Sequence, residues 1–337
     1  MKLLIITQKV DKSDPVLGFF HRWIEELAKH CEKITVIGQS VGEYSLPAHV
    51  SVVSLGKEKG KSRIGQVLSF QFSVLSLCRD YNSVFVHMTP IWIVLGAPLW
   101  ILLRKPIYLW YEARGTRWPL KISLWFVRKV FSASLSGMPI QTRKSVITGH
   151  GIDTTVFVPT QMARLQKMLV TAGRVTRSKR LERIFYLLHG ISDEYALMVC
   201  GEPITEDDKV YAKELDDLLI RENLRPRVVI RPCTQVGVRS LLQVARVFLH
   251  ASTTALDKAV LEAMACGCPV VSTNLAVHGV LPNELCATDE NFAEKVQRVL
   301  DLSEVEQKQL GQQLREKVVQ EHDIQRLIQT LITEMIQ

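Results

Sequence analysis

Apolar and polar positions along the chain follow two alternating patterns. Short continuous apolar runs such as KLLIIT at residues 2–7 are separated by longer stretches with a helical period. In FFHRWIEELAKHC, for example, apolar positions 19, 20, 23, 24, 27 and 28 form the stripe of a helix that covers a sheet. Buried strands that alternate with such helices predict an α/β fold with parallel sheets and right-handed crossovers.

The predicted strands fall into two series. The first comprises KLLIIT, KITVIG, VSVVSL, SVFVH, IYLWY and FSASL, and the second comprises MLVTAG, YALMVCG, RVVIRP, VFLHAS and PVVST. The turn-rich segment GHGIDTTVFVP lies between them. We therefore expect two tandem Rossmann-like, doubly wound domains, at residues 1–155 and 156–318, followed by a C-terminal helix at 319–337 that can return to the first domain. Ligand is expected in the crevice at the carboxyl ends of the two sheets.

Residues 84–103 form an uncharged run of 20 residues, which meets the length rule for a membrane span. His87, Pro90, Gly96 and Pro98 interrupt it, so we interpret it as a buried strand, a turn and a helix. The apolar core of the N-terminal MKLLIITQKV is too short for a signal peptide, and this segment is typical of a first buried strand.

The composition indicates a cellular compartment and shows an uneven distribution of charge along the chain. Seven cysteines without framework spacing favour reduced thiols and a cytoplasmic location. Cys266 and Cys268 form a lone C-x-C, which is more typical of small buried side chains than of a zinc site. Of the net charge of +8, residues 1–155 contribute an excess, with 20 Lys or Arg against 10 Asp or Glu. An anionic partner on that side, or simply a basic solvated face, would explain this.

Several common enzyme motifs are missing from the sequence. It contains no G-x-G-x-x-G after the first strand, no P-loop, no G-x-S-x-G and no H-E-x-x-H. Dinucleotide-dependent oxidoreductases, P-loop NTPases, serine hydrolases of that type and zincins therefore lose their best support. We expect no nucleic-acid partner.

Two stretches of the second half carry candidate chemistry. In VTAGRVTRSKRL, Arg174 and Lys179 follow a strand at the edge where ligand is expected, and the pair suits a diphosphate. In TTALDKAVLEAMACGCPVVST, a loop precedes a helix whose N-terminal amides favour an anion. Glu262, about one turn into that helix, can accept hydrogen bonds from a vicinal diol such as a ribose. Solvated loop charges and a dipole-favoured surface acid are the alternative interpretations.

The order GR-x4-K, VCGE and LEAMACGCPVVST resembles the retaining GT-B glycosyltransferases, in particular family 4, from about residue 168 to residue 275. The linker GHGIDTTVF is similar to the hinge of that family. The resemblance implies that Arg174 and Lys179 hold the donor diphosphate and that Glu262, the second glutamate of an E-x7-E motif, binds the nucleoside ribose. It also implies a set of substrate-binding positions: Gly173, Gly201, Thr254, Asp257, Lys258, Ala259 and Gly18.

The sequence departs from the family pattern at several positions. Thr254 stands where the first glutamate of E-x7-E is usual, and Asp257 and Lys258 stand in its glycine-rich segment. A DK-x-x-LEA variant occurs in some members, so Asp257 is a candidate replacement carboxylate. The acceptor-side histidine after IYLWY is missing, and YEARGTRW places Glu112 and Arg114 there instead. His87 is a further catalytic candidate, with a purely structural histidine as the alternative.

We therefore expect a retaining, metal-independent glycosyltransferase that moves a sugar from a nucleoside diphosphate sugar to an unidentified glycan, lipid-linked or small-molecule acceptor. No cofactor is expected, and no D-x-D pair is present to hold a metal. Arg174, Lys179 and the helix N-terminus would stabilise the leaving group. A GT-B epimerase or phosphorylase, or a degenerate GT-B binding or scaffold protein, remains the alternative.

The stretch RGTRWPLKISLWFVRKVF at residues 114–131 suggests peripheral contact with an anionic membrane. On a helix from Pro119, positions 121, 128 and 129 lie near one side, and 120, 124, 127 and 131 near the other. Such a cationic amphipathic helix can lie on a bilayer. A helix packed on the sheet would show the same pattern.

Overall fold

The computed structural model describes residues 1–14 and 16–336. It divides into two compact units, one formed by Met1–Gly151 with Ile324–Gln337 and the other by Ile152–Asp323. Each unit has its own parallel sheet, with seven strands in the first and five in the second. This architecture confirms the predicted α/β class with two Rossmann-like sheets.

The first unit is built on a sheet with the strand order β3-β2-β1-β4-β5-β6-β7, in which every neighbouring pair is parallel. Its strands are β1 (Lys2–Val10), β2 (Lys33–Val41), β3 (Val50–Ser54), β4 (Ser83–His87), β5 (Ile107–Trp110), β6 (Lys129–Ser132) and β7 (Ser145–Ile147). Its first four helices are α1 (Gly18–Ala28), α2 (Arg63–Ser76), α3 (Ile91–Leu102) and α4 (Trp118–Phe126).

The second unit has the strand order β10-β9-β8-β11-β12, again parallel throughout. Its strands are β8 (Leu165–Ala172), β9 (Ala196–Cys200), β10 (Val228–Arg231), β11 (Ala245–His250) and β12 (Val270–Ser272). Its helices are α5 (Leu181–Leu187), α6 (Glu206–Arg221), α7 (Gln235–Val244), α8 (Lys258–Ala265), α9 (Phe292–Leu300) and α10 (Glu304–Glu321). Buried apolar residues fill β11 and α8, which places the start of α8 beside the central strands.

The last helix, α11 (Ile324–Ile336), belongs to the first unit. It packs against α1, and Gln325 donates a hydrogen bond to the buried carboxylate of Glu26 at 2.8 Å. The expected boundary at 318/319 lies inside α10, because α10 continues to Glu321 before the chain turns. The other boundary falls after Gly151, where the expectation was residue 155.

The two faces of the first sheet carry different helices. Helices α2, α3 and α4 contribute to one apolar core together with residues such as Leu109 of β5. Tyr108, the preceding residue of β5, points the other way and donates a hydrogen bond to the carbonyl of Met335 in α11 at 3.1 Å. Since successive strand residues face opposite sides, α2–α4 form one layer and α11 covers the other face.

The amphipathic helix expected to run from Pro119 through residue 131 is wrong in its second half. Helix α4 ends at Phe126, Val127 is extended, and residues from Lys129 onward form β6. Val130 and Phe131 are fully buried in the sheet, so strand pairing prevails over the helical period. The strand β7 was not predicted from the sequence.

Residues 84–103 form β4 and α3, separated by a turn that contains Pro90, as expected. Within the described part of the chain, no helix combines the length and the apolar character that a membrane crossing requires.

Candidate active site

The carboxyl edge of the second sheet brings together three loops. Strand β8 lies between β9 and β11, so the loops after these strands are neighbours. Gly173 follows β8 and Gly201 follows β9, and a Cβ atom on Gly201 would come within 1.9 Å of the Gly173 carbonyl oxygen. Only glycine permits this approach of two backbones. A small cleft at this edge is lined by Thr171, Ala172, Gly173, Lys179, Leu181, Val199, His250 and Ala251.

Lys179 lies over Gly173 in this cleft. Gly173 has a φ of +132°, and a Cβ atom there would lie 3.1 Å from the Lys179 Nζ. The turn that carries Lys179 is joined to the loop before α8, because the Thr253 amide donates to the Ser178 carbonyl at 2.9 Å. The sequence-predicted lysine and the sequence-predicted helix are thus held side by side.

A chain of polar contacts runs from Lys179 into the protein. The Lys179 ammonium forms an ion pair with the carboxylate of Asp257. The same carboxylate oxygen lies 3.2 Å from His250 Nε2, and His250 Nδ1 lies 2.7 Å from the Ser272 hydroxyl. Burial lowers the pKa of His250 despite the neighbouring carboxylate, so the ring is neutral at neutral pH.

Asp257 is also the N-cap of α8, and its other carboxylate oxygen accepts from the Ala259 amide at 3.3 Å. Burial alone would raise the pKa of this carboxyl group, but Lys179, His250 and these hydrogen bonds outweigh it and hold the pKa far below its usual range. The sequence suggested that the start of this helix would be open to an anion. In the structure a carboxylate of the chain itself already occupies it.

Glu262 lies in the second turn of α8 and is paired within the helix. Its carboxylate is 3.6 Å from the ammonium of Lys258, one turn earlier, and both side chains are largely buried. Burial raises the pKa of Glu262 and lowers the pKa of Lys258. Lys179 and Lys258 thus each lie beside a carboxyl group, that of Asp257 and that of Glu262, around the start of one helix.

Arg174 is less enclosed than Lys179. Its Nε lies 3.6 Å from a carboxylate oxygen of Asp208 in the capping box of α6. Burial alone would raise the pKa of Asp208, yet hydrogen bonds from Thr176, Thr205 and Ile204 lower it to about 2. Arg174 is 41% exposed, so its guanidinium can reach solvent-borne ligands at this edge.

Thr254 is held within its own loop. Its hydroxyl lies 2.7 Å from the Ser252 hydroxyl, and its carbonyl accepts from the Asn274 side-chain amide at 3.0 Å. Sequence reasoning missed His250, Ser272 and Asn274. A signal was present for His250, since it is the polar residue that ends the buried strand β11 at the ligand edge.

Glu112, in the first unit, is almost fully buried and serves its own loop. Its carboxylate accepts from the Ser132 hydroxyl and the Ala133 amide, both at 2.8 Å, and from the Ser134 hydroxyl at 2.9 Å and amide at 3.2 Å. Burial raises the pKa of Glu112, and these hydrogen bonds oppose the shift. The carboxylate oxygens are thereby occupied by the segment that follows β6.

His87 ends β4 and is completely buried. Its ring stacks on Phe20 with centroids 3.9 Å apart, and Nδ1 lies 3.3 Å from the Thr7 hydroxyl. This environment favours the structural alternative for His87. Gly18 is the first residue of α1, and its amide donates to the Asp14 carbonyl at 3.0 Å.

The two cysteines of the C-x-C pair are buried side chains. Burial raises the pKa of Cys266 to about 12 and that of Cys268 to about 11, so both are thiols at neutral pH. Over residues 1–14 and 16–336, no group of three or more His, Cys, Asp or Glu side chains is arranged to hold a metal ion.

Comparison with known proteins gives a family match for part of the second unit and solved structures that share the fold of the chain. Residues 166–302 match the family model described as Glycosyl transferases group 1. No curated protein sequence matches the chain. Solved structures do match over nearly the whole length. The structure of Anabaena HepE in complex with UDP and glucose has a TM-score of 0.81 at 15% identity, covering 100% of this chain and 99% of that one.

Two further solved structures have the same fold. Sucrose-phosphate synthase from Thermosynechococcus elongatus gives a TM-score of 0.79 at 16% identity, with 97% of each chain covered. A glycosyltransferase from Rickettsia africae gives 0.73 at 12% identity, covering 99% of this chain and 98% of that one. The family match spans the edge that carries Gly173, Lys179 and Glu262. The whole chain therefore has the GT-B fold of these structures, and residues 166–302 of its second unit match a group 1 glycosyl transferase domain.

Proposed function

We propose that the protein is a retaining, metal-independent glycosyltransferase whose second unit binds a nucleoside diphosphate sugar. The observation that carries this proposal is the arrangement at the start of α8. There the ammonium of Lys179 and the carboxyl group of Glu262 lie near the start of α8, beside two glycines whose backbones pack closely together. In a nucleoside diphosphate the anionic diphosphate and the ribose diol are close together, so a binding site needs a cationic group and a diol-binding group at neighbouring positions.

Donor binding would rearrange the ion pair at this edge. In the structure Lys179 is paired with Asp257, so a diphosphate must share the ammonium with that carboxylate or replace it. Because Asp257 is fixed by His250 and by the cap of α8, the ammonium is the group free to move. Arg174, which follows Gly173 in the chain and is 41% exposed, can add a planar fork for a second phosphate oxygen.

The leaving group would be stabilised by these cations. As the bond between the sugar C1 and the phosphate oxygen breaks, negative charge develops on the diphosphate, where fixed positive groups act most strongly. The departing phosphate can accept the proton of the attacking acceptor hydroxyl, so the reaction needs no additional strong base. Glu112 and His87 are accordingly not required as bases, and no cofactor beyond the donor is proposed.

The nature of Glu262 supports a nucleoside in this position. The Glu262 carboxyl group lies 3.6 Å from the Lys258 ammonium, and its two oxygens can accept hydrogen bonds from the ribose hydroxyls. A uridine nucleotide is the first donor to test, because the HepE structure with the same fold contains UDP and glucose.

The deciding experiment is donor turnover. Purified protein is incubated with UDP- and GDP-sugars, and free nucleoside diphosphate is measured alongside thermal stabilisation by each nucleotide. We expect at least one donor to stabilise the protein and to release its diphosphate slowly by hydrolysis, with the anomeric configuration retained when an acceptor is found. Stabilisation without any turnover would favour a binding or scaffold protein. The absence of both stabilisation and turnover would overturn the proposal.

A further inference from the structure

The outward surface of the layer formed by α2, α3 and α4 is unusual for an α/β protein. Helices that cover a sheet normally bury one side and present charged residues to water. These three helices comprise 14, 12 and 9 residues, and their only charged residues are Arg63 and Lys121. Their inner sides fill the core of the first unit, yet most of the large side chains on their outer sides are apolar.

Helix α2 carries an exposed apolar stripe. Ile64, Leu68, Phe72 and Leu75 are 75%, 65%, 74% and 61% exposed, and their spacing places them on one side of the helix. None of them contributes to the core, which is formed from α2 by Phe70 and Val74. The apolar side chains of this stripe are therefore not part of the core that stabilises the first unit.

The neighbouring helices continue this surface. Helix α3 packs between α2 and α4, and the Gln71 side chain donates to the Leu95 carbonyl at 3.0 Å. Leu102 at the end of α3 is 78% exposed, and Trp118 and Trp125 of α4 are 59% and 84% exposed. We call these three residues, together with the α2 stripe, the apolar face. Exposed apolar side chains on three neighbouring helices differ from the singly scattered apolar residues of an ordinary surface.

Basic residues surround the apolar face. From residue 59 to residue 151 the sequence contains 13 Lys or Arg and only 2 Asp or Glu. Of the two acids, Asp80 is paired with Lys33 at 2.7 Å and Glu112 is buried. Exposed cations lie at both ends of the helices, and they include Lys59, Lys61, Arg63, Arg104, Arg117 and Lys121.

We propose that the apolar face docks on an anionic lipid bilayer, with the helices of the layer lying in the plane of the interface. Exposed tryptophans and leucines would enter the headgroup region, and the surrounding cations would contact lipid phosphates. The contact is peripheral because the longest of the three helices has 14 residues, whereas a span needs about 20. This proposal is independent of the donor chemistry of the second unit.

The charge distribution distinguishes a bilayer from a second copy of the chain. A symmetric dimer through the apolar face would place the same cations of both copies against one another. An anionic bilayer instead neutralises them, because each basic residue near the lipid surface is attracted by the anionic headgroups. The surrounding cations therefore favour burial of the apolar face on an anionic bilayer and oppose its burial in a dimer.

Vesicle co-sedimentation tests the proposal. The full chain is mixed with vesicles of phosphatidylcholine containing phosphatidylglycerol, or of phosphatidylcholine alone, at low and at high salt. We expect binding to the anionic vesicles at low salt, weaker binding at high salt and little binding to neutral vesicles. Wild type that stays in the supernatant in every condition overturns the proposal. So does a protein that light scattering shows to be a dimer and that binds no vesicles.

Two variants separate the apolar face from charge alone. Phe72→Ser with Trp125→Ser removes two highly exposed side chains without changing the charge, and should weaken binding about tenfold or more. A matched control, Ile220→Ser with Val305→Ser, changes exposed apolar residues of the second unit and should bind like wild type. Equal binding by all three proteins overturns the docking through this face, and circular dichroism confirms that each variant is folded.

Tryptophan fluorescence gives an independent readout. Of the six tryptophans, Trp23, Trp92, Trp100 and Trp110 are buried and only Trp118 and Trp125 are exposed. Brominated acyl chains in the anionic vesicles should therefore quench wild type and leave the Trp118→Phe, Trp125→Phe variant unquenched. Binding without quenching would show attachment by charge at another surface and would overturn the proposed orientation.

Discussion

Arg174 and Lys179 are the two cations proposed to contact the donor diphosphate, and Lys179 is paired with Asp257 in the structure. The Arg174→Ala and Lys179→Ala variants should each weaken nucleoside diphosphate binding about tenfold or more, because a charge-assisted hydrogen bond contributes about 1.5–3 kcal/mol. Isothermal titration calorimetry measures the affinity. Lys167→Ala, which removes an exposed cation paired with Glu194, is the control and should bind normally. Unchanged affinity in both site variants would remove the phosphate assignment.

Glu262 is expected to recognise a ribose diol. Glu262→Gln should weaken nucleotide binding, and wild type should bind a 2′-deoxynucleotide less tightly than the ribonucleotide, since one hydroxyl donor is then missing. Competition binding with the paired ribo- and deoxyribonucleotides checks both. Glu294→Gln breaks an exposed pair with Arg298 at the same helical spacing on α9 and should have no effect. If wild type does not discriminate between the two sugars, Glu262 has another role.

The sequence revealed the site only in part at this scale. Arg174, Lys179 and Glu262 were predicted because residue type and spacing survive in the linear order. The contact of His250 with Asp257 was not, since residues on a strand end and on a helix cap meet only after the sheet has formed. Glu112 was placed near the acceptor, yet its four hydrogen bonds come from residues 132–134, a pairing that spacing does not encode.

Helix α8 begins on a carboxylate that has three functions: cap, ion-pair partner and acceptor from His250. Asp257→Asn keeps a capping oxygen but leaves Lys179 without its anion. We expect the free energy of unfolding at neutral pH to fall by about 3 kcal/mol. Urea titration followed by circular dichroism measures it, with Glu214→Gln, which breaks an exposed pair with Arg177, as the control.

The difference in the free energy of unfolding between wild type and Asp257→Asn should depend on pH, in a direction that the pKa shift of Asp257 determines. The pKa of Asp257 in the folded protein is lowered below its ordinary value of 3.8, so its stabilisation is fully present above that value. It is lost as the pH falls below 3.8 toward the lower pKa of the folded protein. The stabilities of wild type and Asp257→Asn should therefore converge in acid. A constant difference from neutral to acidic pH would show that the ion pair is not its origin.

Glu112 joins the end of β5 to the segment after β6. Glu112→Ala leaves several buried donors without an acceptor, each costing about 1–3 kcal/mol, so the first unit should be markedly less stable. All six tryptophans lie in that unit, and their fluorescence during urea unfolding reports it selectively. Glu43→Ala, which removes an exposed carboxylate of the same unit, should leave the midpoint unchanged. Equal midpoints for wild type and Glu112→Ala would refute this structural role.

At the level of elements, periodicity predicted most strands and failed where it was ambiguous. Residues 127–131 satisfy a helical pattern, yet Val127, Val130 and Phe131 are equally suited to a buried strand and become part of the sheet edge. Strand β7 has three residues between polar neighbours, which is too short for a pattern to register. The exposed stripe of α2 was not predicted, because an apolar side chain shows its exposure only once the core is assembled.

For the molecule as a whole, metal independence predicts how turnover responds to chelation. If Arg174 and Lys179 stabilise the leaving-group charge, donor hydrolysis should continue in saturating EDTA at an unchanged rate. The measurement is release of nucleoside diphosphate with and without the chelator, followed by added magnesium or manganese. Activity that disappears in EDTA and returns with either ion would assign the charge stabilisation to a metal.

The chain leaves the first unit at Gly151 and re-enters it at Ile324, so the second unit is inserted within the first. This order has a consequence for synthesis on the ribosome. The inserted unit is complete once residue 323 has emerged, whereas the unit that starts first must wait for α11, which covers one face of its sheet. Translation thus reverses the order of completion, and until α11 has emerged the nascent first unit exposes the apolar surface that this helix will bury.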